Sequence, residues 1–215
     1  PRRAGRRMIL DIVQISKELF SAEFVIRTGS TPIGDIHLQG SLGSMEAEIV
    51  LNYQDTCFGM VHEHLEQKPA KRVFRPYAIY ADGAVIGVVY QSEEKLGLFK
   101  GYSFREMHFS GKSYRMFSVG LGNEGYKFPI YEGERQIAEI DKPCVVYDEL
   151  HEYKIYALDA PSAMTASLLC AYLYVSGAYT PGEKVIRSKV KTITITANKF
   201  LKEKYDPGFI KGMDP

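Results

Sequence analysis

The sequence predicts a mainly β chain built around one buried helix, and three observations carry that prediction. First, Ala160 to Gly182 contains no charged residue. Its centre, Ser162-Ala163-Met164-Thr165-Ala166-Ser167-Leu168-Leu169-Cys170-Ala171-Tyr172-Leu173-Tyr174-Val175, reads as a helix that is apolar almost all round. A helix without a polar face must be surrounded, by lipid or by protein. Second, Met8 to about Asp159 runs as about ten to twelve short β-rich stretches between turn residues, the spacing of a sandwich or barrel. Third, strand and helix patterns do not alternate, which argues against Rossmann and TIM architectures. One apolar helix after many strands implies a helix threaded through, or packed on, a closed sheet.

The elements follow in order. Ile9 to Ile15 and Glu23 to Arg27 are the first two apolar runs, and Thr28 to Pro32 makes a turn. Ile33 to Leu38 alternates apolar with polar, and Glu46 to Leu51 continues the theme. The clearest hairpin joins Tyr77–Ala81 to Ala84–Tyr90 across Asp82-Gly83, the strongest short-range hairpin signal there is. A second joins Tyr102–Phe109 to Ser113–Val119 across Ser110-Gly111-Lys112. A third joins Lys127–Tyr131 to Arg135–Ile140 across Glu132-Gly133-Glu134. Val145–Tyr147 and Glu152–Leu158 lead into the helix, which Asp159 or Ser162 can cap, with Pro161 suited to the first turn and Gly177 a stop. Beyond Pro181-Gly182, Thr192 to Thr196 reads as a strand and Ala197 to Tyr205 as a short basic helix. Asp206-Pro207-Gly208 breaks that helix, and the last residues are loose.

Composition narrows the function classes. A chain of 215 residues fits one domain and buries roughly 70% of its unfolded surface. The net charge of +1 gives no global pull toward nucleic acid, so an anionic partner must find a local patch. Cys57, Cys144 and Cys170 are odd in number and contain no CxxC, which suits a reducing compartment and a cytoplasmic location. Residues 1–7 read as a loose basic leader. The apolar run Met8 to Leu10 is too short for a signal-peptide core. With Ser and Thr inside it and Pro161 and Pro181 at its edges, the uncharged window reads as a helix buried in protein rather than a membrane span.

The strand meander "FVIRTGSTPIGDIHLQG", "YAIYADGAVIGVVY" and "RQIAEIDKPCVVYDELHEYKIYALD", running into "SAMTASLLCAYLYVSG", resembles the tubby C-terminal-like superfamily. That group includes the tubby domains, the LURP-one-related proteins and the phospholipid scramblases. The resemblance covers Met8 to about Ala178 and lies in the order of elements rather than in a catalytic signature. It implies a closed antiparallel barrel of about twelve strands around a central hydrophobic helix over about 162–178, within a unit spanning 8–180. Residues 181–215 then form a basic extension, in which the chain departs from members that end with the helix. The length and plain style suggest a bacterial member. Tubby domains bind phosphoinositides through basic side chains on the barrel, but no such site matches here residue by residue. Where scramblases carry a calcium-binding segment, this chain offers Asp148, Glu149, Glu152 and Asp159 without a calcium loop.

Two basic clusters are candidate contacts for an anionic head group. One comprises Lys71, Arg72 and Arg75, with Lys68 nearby, beside Phe74 and Tyr77. The other comprises Lys184, Arg187, Lys189 and Lys191, followed by Lys199, Lys202 and Lys204. Lys and Arg bind phosphate by charge and, for Arg, by bidentate geometry. The competing reading of the tail is a solubilising edge, since Lys on an edge strand blocks sheet-to-sheet pairing. His62-Glu63-His64 puts two imidazoles on one face of a strand, the spacing of two metal ligands that still need Cys57 or His37 to converge. No GxSxG, Cys–His pattern or phosphate-cradling loop before a helix occurs. Gly120-Leu121-Gly122-Asn123-Glu124-Gly125 formally matches GxGxxG but reads as a turn between strands. The sequence thus points to a non-enzymatic binding module without a cofactor. Its expected partner is anionic phospholipid met peripherally at the inner membrane face. A structural or regulatory protein-interaction domain is the alternative, and a metal-dependent enzyme using His62 and His64 is a third reading.

Overall fold

The computed structural model describes residues 7–41, 46–63, 73–95, 101–184, 186–211 and 213. Its strands are β1 (Met8–Lys17), β2 (Ser21–Thr28), β3 (Thr31–Gly40), β4 (Ala47–Tyr53), β5 (Thr56–His62), β6 (Val73–Ala81), β7 (Ala84–Lys95) and β8 (Gly101–Phe109). They continue as β9 (Lys112–Met116), β10 (Val119–Gly122), β11 (Tyr126–Glu132), β12 (Arg135–Lys142), β13 (Val145–Tyr147) and β14 (Glu152–Ala157). After helix α1 (Ala160–Gly177) come β15 (Lys189–Lys191), β16 (Thr194–Ile195), α2 (Lys199–Glu203) and α3 (Pro207–Lys211).

Twelve antiparallel strands close a ring. The order is β12-β14-β1-β2-β3-β4-β5-β6-β7-β8-β9-β11, and β11 pairs back onto β12. Strands β10 and β16 hang from β11 outside the ring, and β13 pairs with β15 as a separate ribbon. The tight turns explain why neighbours in sequence are neighbours in the sheet. Asp82 and Gly83 have φ of 50° and 75°, and Ser110 and Gly111 have 50° and 76°. Two successive left-handed residues make a turn whose twist matches that of the flanking strands. The second hairpin is therefore tighter than its sequence suggests, with Lys112 already in β9. Its return strand is also shorter, because β9 stops at Met116 and β10 begins a new excursion at Val119. Strand β5 adds Thr56–Val61 to the strand that the sequence marks only at His62, since a Gly-containing run without a turn signal does not announce itself.

Helix α1 is surrounded by sheet. Thirteen of its residues are buried, and it touches β1, β4, β12 and β14. Tyr174 meets Phe24 of β2 edge-on at 4.8 Å, and Tyr172 meets Tyr77 of β6 at 5.8 Å. Several polar atoms that enter this apolar setting find partners, as buried polar groups mostly do. Tyr172 Oη donates to Arg75 O at 2.9 Å, Tyr174 Oη accepts from Gln14 Nε2 at 3.1 Å, and Ser167 Oγ donates to Ala163 O at 2.9 Å. Asp159 caps the start, its carboxylate accepting from Ser162 N at 2.9 Å and from Ser162 Oγ at 2.6 Å. Gly177 is the last helical residue rather than a left-handed stop, and the cap is Ala178, whose N–H donates to Tyr174 O.

The C-terminal segment lies on the outside of the ring. Phe200 stacks on Tyr102 at 4.5 Å, and Phe200 and Leu201 pack against the small cluster of Tyr102, Phe104 and Phe117. Tyr131 Oη donates to Lys204 O at 2.7 Å. Where Asp206-Pro207-Gly208 reads as a breaker with loose residues beyond it, the chain starts α3. Asp206 O accepts from Phe209 N at 3.1 Å, and Pro207 occupies a first-turn position that needs no N–H donor.

Candidate functional site

The predicted basic residues fall in different settings. Arg75 sits in a bulge of β6, where the register slips between Phe74 and Tyr77, and its φ is 49°. A non-glycine residue is held there only by surrounding contacts. Those contacts are with the end of α1: Tyr172 Oη bonds to Arg75 O, and Arg75 Nη1 donates to Ser176 O at 2.7 Å. A cation is favoured at a helix C-terminus, and α1 has none in its own last turn. Arg75 thus serves α1 first. Lys71 and Arg72 lie outside the described residues.

Lys184, Arg187, Lys189 and Lys191 are all exposed. The last two belong to the β13–β15 ribbon, whose register pairs Val145 with Lys191, Val146 with Val190, and Tyr147 with Lys189. Directly paired side chains share a face. Lys189, Lys191, Val145 and Tyr147 therefore point one way, and Val146 and Val190 the other. Lys189 Nζ lies 5.4 Å from the centre of the Tyr147 ring. The ribbon is fastened at both ends: Asp148 Oδ1 accepts from Ser188 N at 3.0 Å, and Cys144 O accepts from Thr192 N at 2.7 Å. Lys17 pairs with Glu149 and lies 3.6 Å from Glu183, tying the ribbon to β1. The Lys17 ammonium holds the Glu149 carboxyl below the ordinary carboxylate range.

Around this ribbon the surface is apolar as well as basic. Of eleven exposed large hydrophobic residues among those described, four are Tyr147, Ile186, Ile193 and Ile195, the last 78% exposed, and Val190 on the other face of the ribbon is half exposed. Leu19 adds to the same end of the barrel, since its carbonyl accepts from Gly182 N.

Among the described residues, His62 joins no metal-ligating group. β5 ends at His62, whose Nδ1 lies 3.1 Å from Glu46 Oε1 and whose ring meets Tyr77 edge-on. Cys57 is five residues back on the same strand, which places it roughly 17 Å away on the opposite face. His37 is engaged with Asp35 at 2.9 Å. Among the described residues no group of three potential ligands converges, and His64 lies outside them. The GxGxxG match is a turn: Gly122 and Gly125 have φ of 65° and 83°, and Leu121 N donates to Gly125 O at 2.9 Å.

Other charged groups were hidden in the strand pattern. On β12 the inward face runs Ala138, Ile140, Lys142, and on β8 it runs Arg105, Met107, Phe109. Arg105 Nη1 donates to Ser118 Oγ at 3.1 Å. Lys142 and His151 line a cavity of about 190 Å³ under the ribbon, and Lys142 also borders an outer groove of about 470 Å³. Burial lowers the Lys142 pKa, and the neighbouring Arg105 adds to this. The His151 imidazole is pushed down to about 4, by burial first and by Lys142 second. On the outward face of β12, Glu139 has no exposed surface and accepts from Gln136 Nε2 at 3.2 Å, next to Asp141 and its partner Lys127. Burial, then Asp141, pushes the Glu139 carboxyl up to about 8.

No protein-family model matches the chain, and neither a curated protein nor a solved structure matches it at a significant level. No helix among the described residues is long and apolar enough to cross a membrane.

Proposed function

We propose that this chain is a non-enzymatic module that docks on anionic phospholipid at a membrane surface, using the β13–β15 ribbon and the tail around it. The observation that carries this reading is the interleaving of exposed apolar and basic side chains in one short stretch. Ile186, Ile193 and Tyr147 stand beside Lys184, Arg187, Lys189 and Lys191. Exposed apolar groups that would be a liability in water can enter the interfacial layer, while the ammonium and guanidinium groups meet lipid phosphates. Arg75, held by α1, is not needed for this contact. The closed twelve-strand ring with α1 against it supports reading the chain as a bacterial relative of the tubby C-terminal-like superfamily. A cytoplasmic location at the inner membrane face fits the unpaired cysteines.

Co-sedimentation with neutral and anionic vesicles tests the proposal. Each basic residue at an anionic surface contributes ~1 kcal/mol, so Lys189→Glu with Lys191→Glu removes at least ~2 kcal/mol, roughly thirtyfold in partitioning. Binding is expected only to anionic vesicles and to weaken with salt. Unchanged binding by the double variant removes the ribbon from the contact. Absence of binding at low salt overturns the lipid reading in favour of a protein partner.

A further inference from the structure

We infer that the cavity beneath the β13–β15 ribbon is a binding site for a small apolar carboxylate of about benzoate size, held by the Lys142 ammonium and His151 Nδ1. The cavity measures about 190 Å³, comparable to an engineered protein cavity of about 150 Å³ that accepts benzene. Tyr126, Pro143, Val146 and Val190 give it apolar walls, the two valines coming from the inward face of the ribbon. Such walls suit a flat apolar body and exclude a dianion whose oxygens would go unbonded.

The polar end of the cavity lacks a partner. His151 Nδ1 is buried with no hydrogen bond. Among the described residues no carboxylate stands within ion-pair distance of Lys142, whose ammonium lies 5.8 Å from the centre of the Tyr153 ring. Glu149, the one acid on the cavity wall, is taken by Lys17. A largely buried ammonium without a counter-charge is costly, and an inward strand position after Ala138 and Ile140 is where an apolar residue belongs. One monoanion answers both deficits. One carboxylate oxygen would accept from Lys142, and the other from His151 Nδ1 in the tautomer that carries its proton there, on a ring that burial keeps neutral and that turns Nδ1 into the cavity. This inference does not rest on membrane docking, which uses the opposite face of the ribbon.

Amide correlation spectra of the full chain, titrated separately with benzoate, benzamide and inorganic phosphate, test it. Benzoate is expected to give saturable shifts at Tyr126, Val146, His151 and Val190, with a Kd on the order of 1 mM or tighter. Benzamide should bind at least about tenfold more weakly, because it leaves the ammonium unpaired, and phosphate should not move these amides. Lys142→Met, which replaces an unpaired amine by an apolar chain of similar length, should keep its unfolding midpoint and lose at least about tenfold in benzoate affinity. Should that variant fail to fold, His151→Phe keeps an aromatic ring against Tyr153 while removing the donor, and it should weaken benzoate severalfold. The inference is overturned by equal binding of benzoate and benzamide, by the absence of saturable shifts, or by shifts that map elsewhere.

Discussion

Glu139 offers the sharpest test of how this fold handles charge. It has no exposed surface, its Oε1 has no hydrogen-bond partner, and the neighbouring Asp141 Oδ1 has none either. Two ionised carboxylates cannot share that space, whereas a protonated Glu139 can donate to Asp141, the ion-pair partner of Lys127. Its pKa is raised from 4.5 to about 8, by burial first and Asp141 second. The folded state therefore holds a proton that the unfolded chain releases above about pH 4.5. Stability associated with this group is fully present below 4.5 and lost as pH rises through about 8. At about 1.4 kcal/mol per pH unit, the loss is about 3 kcal/mol by pH 7 and about 5 kcal/mol above pH 9. Glu139→Gln supplies an N–H donor toward Asp141 at every pH. Urea denaturation from pH 4.5 to 9 should show the two proteins alike at the acid end and the variant more stable by a few kcal/mol at the alkaline end. A variant less stable than the parent at pH 8, or a difference that does not change with pH, refutes the reasoning.

Tyr172→Phe removes the hydroxyl that donates to Arg75 O at 2.9 Å. It should lower stability by about 1–2 kcal/mol in thermal or chemical unfolding, and no loss would mean that water replaces the bond. Cys57 is exposed, Cys144 is half-buried and donates to Asn123 O at 3.1 Å, and Cys170 is 1% exposed inside the barrel with its pKa raised by burial. A thiol reagent should label them in that order, with Cys170 reacting only as the protein unfolds; labelling of Cys170 at the rate of Cys57 would contradict the burial of α1. The β13–β15 ribbon has two strands of three residues each, and an isolated two-stranded ribbon is marginal. Its amides should exchange with solvent well before those of β1 or β4, and equal protection would show that the ribbon belongs to the barrel's cooperative unit.

What the sequence disclosed follows from how local each determinant is. Helix α1 is legible because every face of it is apolar, a property of fourteen consecutive residues. The Asp82-Gly83 and Ser110-Gly111 turns are legible because left-handed backbone at two successive positions restricts residue choice. Ring closure is local at the β11–β12 hairpin but not at β1–β14 or β9–β11, where the partners are far apart in sequence or separated by the β10 excursion. The fold-back of the tail escaped reading because Lys189-Val190-Lys191 has the composition of a solvated edge, and only its partner Val145–Tyr147 makes it a ribbon. Pro207 reads equally as a breaker or as a first helical residue, and local sequence does not choose. Lys142 and Arg105 were missed for a different reason. A lysine after Ala138 and Ile140, or an arginine before Met107 and Phe109, sits on the apolar side of an alternating strand. Reading the pleat strictly would have marked both.

That pleat also explains how one short ribbon can serve two purposes. Because paired residues across β13 and β15 share a face, Tyr147 with Lys189 and Val145 with Lys191 look outward, while Val146 with Val190 lines the cavity. Neither face can shift without the other, since the strands are three residues long and fastened at Asp148 and Cys144. An anion bound at Lys142 therefore presses on the same backbone that carries the exposed cations. If it stiffens the ribbon in the arrangement that meets a membrane, linkage requires the membrane to tighten the anion by the same factor. The size of that factor is set by how much of the ribbon's freedom each ligand removes. A two-stranded element outside a closed barrel has more such freedom to lose than any strand of the ring.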